Sequence, residues 1–347
     1  MRRLLPNLAL ALGSLLVVGS CTEVSLRLLG VKPETSSRWR FSWAEKGEIW
    51  RLQPGSTWKT VRGGHLVSVN AEGFRDRPFL PVQPGTFRIL FLGDSVTFGH
   101  GVAEETTFAR RLEARLAPRV RVMNAGIPGW STHQEWLFYR DDGPRFEPDL
   151  VLVGFVLNDV TEMQRGFIEI DIERGLQVVR AINWLAQRSA SVALIKGLTA
   201  GILNPEQREV RRVEHLSAHP DAPHVRRAME RTAEAMLRIA ELARERGDGF
   251  GVVLFPFHYQ VRGEGRGAPQ RYLEDVMVER GIPVLNLHPV LAAHRPSTEI
   301  FLDVDHLTAL GHEVAARAIG DWLERENLLQ TRRPIRPQDA GQRARQR

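Results

Sequence analysis

Arg88-Ile-Leu-Phe-Leu-Gly-Asp-Ser95-Val-Thr-Phe-Gly99 is the stretch from which this chain is best read. Its apolar run, ended by glycine, predicts a buried strand that enters a tight turn. That turn presents Ser95 at the strand's carboxyl end. Far downstream, Asp303-Val-Asp305-His306 sets an aspartate three residues before a histidine. A serine hydroxyl is a weak nucleophile without a base. An imidazole supplies the base, and a carboxylate fixes its tautomer. The two segments together hold what nucleophilic acyl transfer requires, with Asp303 or Asp305 as the orienting acid.

Outward from Ser95 the pattern alternates strand and helix. Phe108, Leu112 and Leu116 fall on one helical face, and Val120–Met123 reads as a second strand. A helix is expected from Thr132 to about Tyr139. Leu150–Leu157 is a continuous apolar run, as in a central strand covered on both faces. Val225, Met229, Ala233, Met236, Ala240 and Ala243 define an amphipathic helix. Val252–Phe255 and Pro283–Leu287 complete five strands. Leu310, Val314, Ala318 and Trp322 share a stripe on the last helix. Such alternation predicts an α/β three-layer sandwich with a five-stranded, flavodoxin-like parallel sheet. An N-terminal accessory segment (23–86) precedes it, with an alternating strand and turn at Val67-Ser-Val-Asn70-Ala-Glu-Gly73. An insertion of about 160–224 follows the third strand. It includes the alternating stretch Phe167–Ile172 and an apolar helical stretch near Ile182–Leu203, and reads as a lid or substrate-shaping cap.

Gly93-Asp94-Ser95, Asn124-Ala-Gly126-Ile-Pro-Gly129, Asn158-Asp159 and Asp303-x-x-His306 occur in that order. In this they resemble the four sequence blocks of the SGNH (GDSL-type) hydrolase superfamily, over residues 87–326. Asn70-x-x-Gly73-x-Arg75 is similar to the lead-in of exported, membrane-tethered bacterial members. The resemblance implies a serine esterase with Ser95, Asp303 and His306 as catalytic residues. It implies an oxyanion hole from the backbone N–H groups of Ser95 and Gly129 and the side-chain amide of Asn158. No metal or organic cofactor is implied. Asp94 and Asp159 are expected to hold their turns by bonds to nearby backbone, and Gly126 to serve a tight turn at positive φ. The family's third block often has glycine two residues before the asparagine, where this chain has Val156; Gly154 lies four residues before.

Composition bounds the alternatives. Hydrophobic residues at 43% and charged residues at 25% suit a globular protein and exclude wholesale disorder. Of the net charge of +6, the segment 331–347 contributes +5, from six arginines against Asp339. The basic character therefore belongs to a tail (327–347) read as disordered and solvated, not to a nucleic-acid-binding face. At the other end, Arg2 and Arg3 precede the apolar run Leu8–Val18 and Gly19-Ser20-Cys21. This is the pattern of an export signal, 1–22. Val18-Gly19-Ser20-Cys21 also resembles a lipoprotein box that would lipidate Cys21. An uncleaved anchor is the competing reading, because the apolar helical pattern continues through Val24, Leu26, Leu28 and Leu29. A freely secreted product is the third reading; all three export the catalytic part, and the first two leave it tethered to the membrane on its periplasmic or cell-surface side.

Other motifs are weak. His215, His219 and His224 lie among prolines and read as a solvated loop. His258 either lines the pocket or sits on the surface, and His312 reads as structural. The expected substrates are small acyl esters, including O-acetyl groups on surface polysaccharide. The alternatives are an O-acyltransferase acting on a glycan, and a non-catalytic glycan-binding protein on the same fold.

Overall fold

Four apolar runs become fully buried parallel strands, because a run buried on both faces has no polar side to offer water, and a half-buried fifth strand closes one edge. The computed structural model describes residues 4–31, 41–43, 49–60, 63–80, 85–164, 184–186, 188–203, 213–263, 267–294 and 296–330. Four short strands come first, as two antiparallel pairs: β1 (Phe41–Trp43) with β2 (Trp50–Leu52), and β3 (Thr57–Lys59) with β4 (Leu66–Ser68). The central sheet follows, from β5 (Phe87–Gly93), β6 (Val120–Gly126), β7 (Leu150–Phe155), β8 (Gly249–Leu254) and β9 (Val284–Asn286). Its spatial order is β6-β5-β7-β8-β9, all parallel. Every residue of β5, β6, β7 and β8 is buried.

This order sets up the site. Winding reverses at β5, and in such sheets ligands bind beyond the carboxyl ends of the strands at the reversal. Gly93 of β5 pairs with Gly126 of β6 on one side and Gly154 of β7 on the other. The segments after three strands are therefore released side by side at one level.

Helices α2 (Ser95–Phe98), α3 (Phe108–Leu116), α4 (Thr132–Asp141), α5 (Asn158–Gln164), α7 (Pro223–Arg246), α8 (Ala268–Glu279) and α9 (Ala309–Arg325) flank the sheet. α3 packs on α9, whereas α4, α5 and α8 pack on α7. On α9 the buried face differs from the expected stripe. Val314 and Trp322 are buried as expected, but Leu310 is 44% exposed and Ala318 only half-buried, and the core face also takes His312, Ala315, Ile319 and Leu323. The stripe is displaced because His312 takes an inward position: its Nδ1 accepts the Phe108 N–H at the start of α3, 3.1 Å away. Burial and the nearby cationic groups of Arg75, His306 and Arg111 push its pKa down to about 3, so it stays a neutral acceptor. His312 is structural, as expected.

The lead-in before the sheet is built into the same unit. Asn70 Oδ1 accepts from Glu72 N and Phe74 N, and Gly73 follows at φ 85°. This turn sends Phe74 into a ring cluster with Phe79, Trp130 and Phe138. It also buries Arg75, which donates to the carbonyl oxygens of Gly99 (2.6 Å) and Val102 (2.7 Å). Arg75 thus caps the chain that leaves α2. Asp76 is buried beside it, paired with Arg110 Nη2 (3.1 Å) and Arg121 Nη2 (3.2 Å), and accepts from Asn124 N at 2.9 Å. Removing one partner from a buried charge cluster leaves the others uncompensated. Asp76→Ala is therefore expected to destabilise the protein by about 3–5 kcal/mol, read from the midpoint of urea unfolding. An unchanged midpoint would mean that water already satisfies both arginines.

A second compact unit comprises Met1–Trp39 and Ile168–Arg208. Its described elements include α1 (Leu4–Leu28) and α6 (Ala190–Leu203). Among the described residues no helix is long and apolar enough to cross a membrane. The expected strand at Phe167–Ile172 and the tail from 331 lie outside the described residues. The apolar stretch near Ile182–Leu203 is helical over Ala190–Leu203.

Candidate active site

The site begins with the turn after β5. Asp94 is the N-cap of α2, its Oδ1 accepting the Val96 N–H at 2.8 Å. This leaves Ser95 as the first helical residue, half-buried at the end of the strand. The turn is tight because three strand ends crowd α2. A Cβ on Gly93 would lie 2.1 Å from Thr97 Oγ1, and one on Gly154 would lie 2.6 Å from the same atom. Gly126 shows a different need from the one expected. It has no positive φ; a Cβ there would lie 2.3 Å from Phe98 N and 2.7 Å from Thr97 C. Its glycine is required by close backbone approach, not by turn conformation.

His306 reaches this turn from the loop between β9 and α9. Its Nε2 lies 2.9 Å from Ser95 Oγ, and its Nδ1 lies 2.8 Å from Asp303 Oδ1. Asp303 Oδ1 also accepts the backbone N–H of His306 at 3.0 Å. Asp305, the alternative orienting acid, is close as well: its Oδ1 is 3.1 Å from His306 Nδ1. Two carboxylates therefore face one ring nitrogen. His258 helps hold the loop, donating its N–H to Val304 O at 2.8 Å and stacking its ring on Phe301. The ring of His100 lies 4.5 Å from that of His306, centroid to centroid. Sequence reasoning missed His100; its only signal is its place five residues after Ser95.

Burial alone would disfavour the His306 imidazolium. The Asp305, Asp303 and Asp94 carboxylates outweigh it and lift the pKa to about 9. Burial likewise works against the Asp303 carboxylate, but the hydrogen bond and charge of His306 win and hold Asp303 far below its ordinary value. Asp303, Asp305 and His306 bring three ligand-type atoms within 4.8 Å of one another, as a metal site would. Here the shared atom, His306 Nδ1, is already hydrogen-bonded to Asp303, and Nε2 is turned to Ser95. That arrangement is a hydrogen-bonded chain from Asp303 through His306 to Ser95.

Asp94 joins the third block to the first. Its Oδ2 accepts from Asn158 Nδ2 at 3.1 Å and from Ser95 Oγ at 3.3 Å. Burial raises the Asp94 pKa, against the opposing pull of the Val96 N–H, Asn158 and His306. Asp159 holds its own turn through Val156 N, and also accepts from Thr132 Oγ1, both at 3.4 Å. Val156, in place of the usual glycine, is fully buried. Glu135 on α4 was not foreseen. It is fully buried, neither carboxyl oxygen has a hydrogen-bond partner among the described residues, and burial with the charge of Asp94 raises its pKa strongly.

Gly129 lies on the loop after β6 at φ 82°, and a Cβ there would meet the Trp50 ring at 3.4 Å. Trp50 Nε1 donates to Pro128 O, and Trp130 Nε1 returns a bond to Trp50 O. The accessory segment thus walls the Gly129 loop. His215 and His224 are exposed and meet Nε2 to Nε2 at 3.0 Å, with the His219 ring 4.6 Å from that of His215. Cys21 lies in α1, exposed.

A parallel sheet releasing a serine, a histidine and an acid at its carboxyl edge defines a serine-hydrolase architecture. The model of the GDSL-like Lipase/Acylhydrolase family matches residues 91–314, and the chain belongs to that family of ester-bond hydrolases. No curated protein matches it. Solved structures similar to it include the lipase/acylhydrolase from Enterococcus faecalis, 16% identical over 72% of this chain and 100% of that one, TM-score 0.42. Another is a lipolytic protein of the G-D-S-L family from Veillonella parvula DSM 2008, 13% identical over 69% and 100%, TM-score 0.44. A two-domain esterase active on acetylated mannans is 17% identical over 72% and 52%, TM-score 0.43.

Proposed function

We propose that the chain hydrolyses small acyl esters through an acyl-enzyme on Ser95. The observation that supports this best is the unbroken relay Ser95 Oγ–His306–Asp303, at 2.9 and 2.8 Å. Ser95 Oγ attacks the ester carbonyl as His306 Nε2 takes its proton. Asp303, with Asp305 beside it, holds the Nδ1 proton and stabilises the imidazolium. The negative oxygen is received by the N–H groups of Ser95 and Gly129 and by the Asn158 amide, which exchanges its bond to Asp94 for one to the oxyanion. His306 returns the proton to the leaving alcohol. Water, deprotonated by the same nitrogen, then releases the acid and restores Ser95.

The acyl groups proposed are short, such as O-acetyl groups on surface polysaccharide, and the site works outside the cytoplasm. The N-terminal pattern supports export. We favour a retained helix seated in the bilayer over a cleaved signal, because α1 runs without interruption through Cys21 to Leu28. Treatment with a fluorophosphonate, followed by peptide mass spectrometry, tests the acyl-enzyme: the adduct is expected on Ser95 and absent after heat denaturation. Labelling on another residue, or none, would overturn the mechanism. Acetate release from an O-acetylated glycan then tests the substrate class.

A further inference from the structure

The unit formed by the N-terminal helix and the insertion carries a polar junction and, leading from it, apolar surface. At the junction, Glu23 of α1 accepts from Ala190 N (2.8 Å) and Ser191 N (3.0 Å), the first free N–H groups of α6. It also accepts the hydroxyls of Ser189 and Ser191, both at 2.8 Å. A carboxylate at a helix N-terminus is favoured by the helix dipole. Arg27, one turn on, pairs with Glu23 at 2.7 Å and donates to Arg188 O at 2.6 Å. Arg188 in turn lies over the Trp184 ring, 4.2 Å from its centre.

The helices that meet here are mostly apolar in sequence. From Leu4 to Thr22, α1 carries no charged side chain, and α6 carries one, Lys196. On α6, Leu194, Ile195 and Leu198 share a face and are 37%, 60% and 60% exposed. On α1, Val17 and Val18 are each more than 60% exposed. A mostly apolar helix is favoured in a core or in lipid, and these described side chains are exposed. Tryptophan and arginine collected at one end are what an interface between lipid and water selects.

We propose that α6 enters the same bilayer as α1, so that two helices clasped by Glu23 hold the chain to the membrane. This rests on the anchor reading of α1 above. At 1.5 Å per residue, the 14 residues of α6 reach about 21 Å, beyond one leaflet of a hydrocarbon core of about 30 Å. The insertion thereby acquires a membrane role, where sequence alone suggested a cap.

The test uses the full chain in vesicles of phosphatidylethanolamine and phosphatidylglycerol. A nitrobenzoxadiazole label is placed on native Cys21 and, in a Cys21→Ser background, on Leu194→Cys, Leu198→Cys or, as an aqueous control, Val278→Cys. Labels at 194 and 198 are expected to shift to the blue, to be quenched by spin-labelled lipid and to be protected from aqueous iodide. Glu23→Gln is expected to return them towards the aqueous spectrum while ester turnover stays unchanged. Lipid quenching at 21 with an aqueous signal at 194 and 198 would overturn the proposal and leave the anchor standing. Aqueous signals at all three would overturn both. Protection from iodide without lipid quenching would mean that protein, such as a second copy, covers α6, and would also overturn it.

Discussion

Ser95→Ala is expected to lower turnover of p-nitrophenyl acetate by roughly 10⁴–10⁶-fold, the scale on which removing the nucleophile of a serine relay acts. The protein should fold unchanged. The N-cap bond of α2 comes from Asp94 to Val96 N, and Asn158 keeps its bond to Asp94. Only the Oγ contacts to His306 Nε2 and Asp94 disappear. The residual rate would come from the oxyanion donors and binding alone. The check is hydrolysis by wild type and variant side by side, with thermal melts to show equal folding. Equal rates would remove Ser95 as the nucleophile.

The second large effect concerns the two acids at His306. With one orienting aspartate, loss of the carboxylate costs about 10⁴ in turnover, because the imidazole adopts the wrong tautomer. Here Asp303 and Asp305 lie 2.8 and 3.1 Å from the same nitrogen. Asp303→Asn should therefore cost about 10²-fold and Asp305→Asn about tenfold, with the double variant approaching the full 10⁴. A double variant no worse than Asp303→Asn would show that Asp305 takes no part. The same pair sets the pH profile. Only neutral His306 can accept the Ser95 proton, and its pKa stands at about 9 in the free enzyme. kcat/KM should rise tenfold per pH unit from 6.5 and level off above about 9, and the inflection should move down in Asp305→Asn. Stability should follow the opposite course. A folded-state pKa raised above the ordinary 6.5 gives stability that is complete below 6.5 and lost as pH rises through about 9. A flat kcat/KM between pH 6 and 9 would contradict the raised pKa.

The strands were readable because parallel strands buried on both sides show as unbroken apolar runs, and Arg88–Leu92 and Leu150–Leu157 are such runs. The helical face of Val225–Ala243 was readable for the related reason that one stripe must meet the core. The stripe on α9 was read correctly at Val314 and Trp322 but not at Leu310, because hydropathy does not foresee a buried histidine, and His312 is held inward by a backbone N–H of another helix. The burial of Glu135 and Arg75 escaped for the same reason. A charged side chain reads as surface until its partners, or its lack of them, are seen. For Gly126 the residue type was informative but the cause was not, since the atoms it must avoid, Phe98 N and Thr97 C, come from another element.

By itself, then, the sequence determined the fold class, the order of the four blocks and the residue types that carry the chemistry. These depend on local pattern: apolar periodicity, turn residues and the three-residue spacing of Asp303 and His306. Only the tertiary structure decided that Gly93, Gly126 and Gly154 end at one level, so that Ser95 and the Gly129 and Asn158 loops leave the sheet side by side. It also decided that Asp303 and Asp305 share one imidazole nitrogen, and that Glu23 holds an insertion helix more than 160 residues away in the chain. Register, shared partners and burial of charge are properties of pairs of residues distant in sequence, and they exist only once the chain has closed on itself.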